Sequence, residues 1–80
     1  MNHQSTNQTK KKFPHSCTKK ELYAMYILDI PEYRARIYIN EIIKEMTGYT
    51  NGPVMHIRHI TPKQLKEFVD TYGLPRNYEL

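Results

Sequence analysis

The sequence predicts a mainly α fold: a three-helix, helix-turn-helix-like domain with a short β wing between helices 2 and 3. Three observations carry this prediction. Pro31 to Met46 holds the longest apolar periodicity in the chain. There Ala35, Ile39, Ile42 and Met46 recur at steps of four, three and four, and Ile43 widens the stripe. Two capping boxes, Thr18-Lys19-Lys20-Glu21 and Thr61-Pro62-Lys63-Gln64, each open a helical stretch. Only Leu28, Asp29 and Ile30 separate the first helical stretch from the second, and a short turn between two helices is the outline of a helix-turn-helix.

Residues 1–17 are polar apart from Phe13 and show no apolar periodicity, so they are expected to form a disordered basic tail. The first helix is expected over Lys19 to Ile27, with Leu22, Met25 and Tyr26 facing inward and Tyr23 and Ile27 on a flank. Pro31 pushes Ile30 toward an extended conformation, which stops that helix from running into the next. Helix 2 begins at Pro31, whose missing N–H costs nothing in a first turn. Glu32 follows, where the helix dipole favours a negative charge. Thr47-Gly48 ends it, with Gly48 as a left-handed cap. Tyr49 to Pro53 reads as a loop with Asn51-Gly52 as its turn. Val54 to Ile60 admits a short strand, because Met55 and Ile57 alternate with His56 and Arg58, while Pro53 counts against a ladder. In helix 3, Leu65, Phe68, Val69 and Tyr72 follow the second capping box at helical spacing. Gly73 caps the end and Pro75 stops it. The domain is expected over residues 18–75, with 76–80 frayed. Ile57, Ile60 and Leu74 complete the candidate core.

Eighty residues make one small domain, too small to hold both a core and an enclosed catalytic cleft. The net charge of +4 is unevenly spread: residues 1–20 carry five lysines and no acid, and the remainder is nearly neutral. A basic tail attracts polyanions without sequence preference. Cys17 is the single cysteine, so no intramolecular disulfide is available, which fits a reducing compartment. No apolar run reads as a secretory leader or a membrane span, so a soluble, cytoplasmic protein is expected.

Two stretches carry a family likeness. Lys19-Lys20-Glu21-Leu22 with Tyr26 resembles the opening K-x-E-L-x-x-x-Y of a family of short uncharacterised bacterial proteins common in gut bacteria. Ile60-Thr61-Pro62-Lys63-Gln64-Leu65 through Gly73-Leu74-Pro75 resembles that family's closing pattern, and Ala35 and Gly48-Tyr49 fall where it has Ala and Gly-Tyr. The resemblance spans residues 18–75 and lies mostly in caps and core positions. The family's layout is similar to helix-turn-helix and winged modules, including excisionase-like and MerR-like DNA binders. It implies a DNA-binding role in transcription or mobile-element regulation.

The first half of a recognition helix meets base edges in the major groove. Helix 2 would present Tyr33, Arg34, Arg36, Ile37 and Asn40 there, with Arg suited to guanine and Asn to adenine. Lys19, Lys20, His56, Arg58 and Lys63 would hold phosphates. The alternative is a protein-binding or homodimer surface built on Tyr23, Tyr33 and Tyr38 with Ile27 and Ile37. His56-x-x-His59 with His15 and Cys17 has no recognised zinc spacing, so no metal is expected. There is no phosphate loop, nucleophile elbow or HExxH helix, so neither a cofactor, a small-molecule substrate nor enzyme activity is expected.

Overall fold

A computed structural model describes residues 10–80. Among them the order is β1 (Lys11–Lys12), β2 (Cys17–Thr18), α1 (Lys19–Tyr26), α2 (Glu32–Thr47), α3 (Asn51–His56), β3 (His59–Ile60), α4 (Pro62–Tyr72) and β4 (Tyr78–Glu79). The domain is mainly α. None of the described helices is long and apolar enough to cross a membrane.

Both capping boxes form. The Glu21 N–H donates to the Thr18 hydroxyl at 3.1 Å while the Thr18 N–H donates to the Glu21 carboxylate at 2.8 Å. Thr61 and Gln64 do the same at the start of α4. Gly48 closes α2 at φ 76°, where a side chain would strain the backbone, and its N–H donates to the Lys44 carbonyl.

The segment before β3 differs from the expected wing. Asn51 to His56 is a helix, and only His59–Ile60 is extended, pairing antiparallel with Cys17–Thr18. Pro53 explains the change. It is the third residue of α3, where a helix has no use for the N–H that proline lacks. Val54 then turns inward and is buried.

The N-terminal segment also differs from expectation. Residues 1–9 of the expected disordered tail lie outside the described residues, but Lys10 onward runs along the domain. Lys11–Lys12 pairs in parallel with Tyr78–Glu79. The Lys11 N–H donates to the Asn77 carbonyl at 3.0 Å and the Phe13 N–H to the Glu79 carbonyl at 2.7 Å. Phe13 is buried, with its ring edge-on to Tyr26 at 6.4 Å and to Tyr78 at 6.1 Å. The expected fraying of 76–80 is replaced by this pairing and by Arg76. Its N–H donates to Asp29 at 2.9 Å, and its guanidinium donates to Asp29 and to the Leu28 carbonyl. The clamp ties the C-terminal segment to the turn between α1 and α2.

Helix α2 packs against the other three helices. The core joins Leu22, Tyr26, Ala35, Ile39, Ile43, Val54, Ile60, Leu65 and Phe68. The Tyr26 ring meets Phe68 at 5.0 Å and its hydroxyl donates to the Gly73 carbonyl. Met46 and Tyr72, expected inside, are exposed: each lies in the last turn of its helix, and Tyr72 is covered on one face only, by Tyr38 and Phe68. Met25, Ile57, Val69 and Leu74 are only partly covered. Cys17 and Tyr23 are buried in addition.

Candidate nucleic-acid interface

Ala35, Ile39, Ile42 and Ile43 fix the inward side of α2, so the 3.6-residue repeat turns Tyr33 and Ile37 to solvent. They are 56 % and 53 % exposed. Arg34 and Arg36 border this patch on opposite sides. The Arg34 guanidinium lies 5.7 Å from the Tyr33 ring centre and donates to the hydroxyls of Tyr33 and Tyr38. The Tyr38 bond comes first, and the two together push the Arg34 pKa further up. Tyr38 in turn stacks on Tyr72 at 4.4 Å and 10°. Arg36 pairs with Glu32 at 2.6 Å, one turn earlier on the helix, and lies over the Tyr23 ring at 5.6 Å.

Asn40 departs from the expected role. It is half-buried, and its Oδ1 is enclosed without a hydrogen-bond partner among the described residues. An amide held this way does not present the donor–acceptor pair that adenine readout requires.

Lys19 departs as well. Its ammonium is buried and donates to the Val54 carbonyl at 2.7 Å, which also accepts the Ile57 N–H at the end of α3. Burial pulls its pKa down. Lys19 therefore joins α1 to α3, and little of it is exposed to a phosphate.

Lys20 and Arg58 do come together. With Thr18, Lys19, Tyr23, Met55 and Ile57 they line a groove of about 380 Å³ between the start of α1 and the segment after α3. No acidic residue lines it, and neither Lys20 nor Arg58 forms an ion pair among the described residues. Tyr23 forms part of the wall and also lies under Arg36, so the groove adjoins the exposed face of α2. Burial pushes the Tyr23 pKa up, against the opposing pull of Arg36. His56 and Lys63 are exposed but lie outside this groove.

Thr18, Tyr23, Met55 and Ile57 are the groove residues that the sequence did not assign to phosphate contact. Tyr23 falls on the edge of the apolar stripe of α1, and the alternation from Met55 to Arg58 resembled a strand. Reading Pro53 as part of a first helical turn would have turned Met55 toward α1. Set against family models, curated proteins and solved structures, the chain matches none.

Proposed function

We propose that the protein binds duplex DNA as a helix-turn-helix module. In this reading α1 and α2 are the two helices, the first half of α2 enters the major groove, and the β2–β3 pair braces α1 against α4. The observation that carries it is the continuity between the exposed Tyr33–Ile37 face and the acid-free groove that holds Lys20 and Arg58. A cytoplasmic role in transcription or mobile-element regulation is the setting that fits it.

A gel shift of the full chain on random duplex, at two salt concentrations, tests the reading. Binding that weakens steeply with salt is expected. The Arg34→Glu/Arg36→Glu double variant should abolish it. No binding by the unaltered chain at low salt would refute the proposal.

A second reading rests on exposed Ile27, Leu28, Tyr33 and Ile37. It makes the same face a site for self-association. Sedimentation as a monomer across micromolar concentrations, combined with DNA binding, would exclude it.

A further inference from the structure

The groove between α1 and the segment after α3 has two free cations on a largely apolar wall. The cations are Lys20 and Arg58, and the wall is made by Tyr23, Met55 and Ile57. Lys19 also lines the groove, but its ammonium is buried and turned to the Val54 carbonyl, so it contributes less to a ligand than the two exposed cations. The nearby Glu21 carboxylate is taken by the Thr18 N–H, which holds it in the capping box. Both Lys20 and Arg58 are exposed, and Met55 is 70 % exposed although its side chain lies against the groove.

We infer that this groove seats one phosphodiester of the DNA backbone, with Lys20 and Arg58 on its oxygens and the attached deoxyribose against Met55 and Tyr23. The inference rests on the duplex-binding reading and gives it an anchor outside the recognition helix. Size and polarity favour a sugar-phosphate unit. Inorganic phosphate would engage the two cations and leave the apolar wall wet, whereas a deoxyribose covers that wall with carbon. An extended acidic peptide has less to gain. At the rim the Lys19 N–H already donates to the Arg58 carbonyl at 2.8 Å, so neither group is free to pair with that peptide's backbone. Arg36 lies over the Tyr23 ring of the same wall, so a phosphate seated here fixes how α2 lies along the groove of the duplex.

The test compares the full chain with its Lys20→Gln/Arg58→Gln double variant on duplexes of several sequences over a range of salt. Loss of one phosphate contact should flatten the log–log salt dependence by about 0.9, which is about eightfold in affinity between 1 M and 0.1 M salt. The loss should be equal on every sequence. A circular dichroism melt confirms that the variant is folded, as expected for two exposed side chains. As a second measurement, the amide resonances of Lys20 and Arg58 should shift further on addition of a short duplex than with inorganic phosphate at matched concentration and ionic strength.

Unchanged salt dependence in a variant that still binds would refute the groove and leave the duplex reading standing. A loss confined to one sequence would make these residues base readers and overturn the inference. Equal shifts with free phosphate would reduce the groove to a small-anion site. Shifts with a polyglutamate peptide and none with duplex would assign it to a protein partner. Absence of any duplex binding by the unaltered chain refutes both readings together.

Discussion

Phe68 has no exposed surface and lies edge-on to Tyr26, so Phe68→Ala should cost about 3–5 kcal/mol, read as a fall in the urea midpoint. Its position was legible because Leu65, Phe68 and Val69 repeat at helical spacing. Phe13 was not legible. A lone aromatic in a polar segment has no periodicity, and its partner Tyr78 lies at the far end of the chain. Cys17 was misplaced for the same reason. Burial first, and then the Glu21 carboxylate, pushes its thiol up to about 11. It should therefore react with iodoacetamide at pH 8 far more slowly than a free thiol does, and labelling as fast as in the denatured chain would show that the segment is open. Two carboxyls give the pH dependence. Hydrogen bonds from Thr18 hold Glu21 below its ordinary value, and those from Arg76 do the same for Asp29. A carboxyl lowered in the folded state stabilises above its unfolded pKa, about 4, and loses that contribution as pH falls through its folded pKa. The melting temperature should drop below about pH 4, and less steeply in Glu21→Gln and Asp29→Asn.

Elements were legible where caps and periodicity agreed. α4 has Thr61, Pro62, Gln64 and Gly73 all in their expected roles, and Thr61→Ala should cost about 1 kcal/mol in a thermal melt. α3 was hidden because Asn51-Gly52 and Pro53 are turn formers in isolation, and the burial of Val54 that rewards the helix comes from elsewhere in the fold. Lys19 then holds that helix in place. Lys19→Met keeps the bulk and removes the Lys19 bond to the Val54 carbonyl, leaving only that from the Ile57 N–H. Faster amide exchange at α3 than at α4 is the expected result, and no change would show that the bond is incidental. Of the candidate site, the sequence placed Tyr33 and Ile37 on an exposed side of α2 but did not show the groove, since Tyr23 and Met55 line it together only in the folded chain.

At the scale of the molecule, the basic N-terminal segment is part of the structure from Lys10 onward. Lys12 pairs with Glu79 at 3.2 Å, and Phe13 and Cys17 enter the core. Removing residues 1–17 should therefore lower the melting temperature as well as the charge. An unchanged melt would mean that the packing of Phe13 contributes nothing. The parallel β1–β4 pair also has a mechanical consequence. Force applied between the two ends of the chain pulls the paired strands past each other along their own length. The bonds from Lys11 to Asn77 and from Phe13 to Glu79 then bear load together, in shear, and do not peel apart one at a time. Stretched between two attachments, the domain should yield at this clasp first and at a higher force than an unzipping hairpin of the same length.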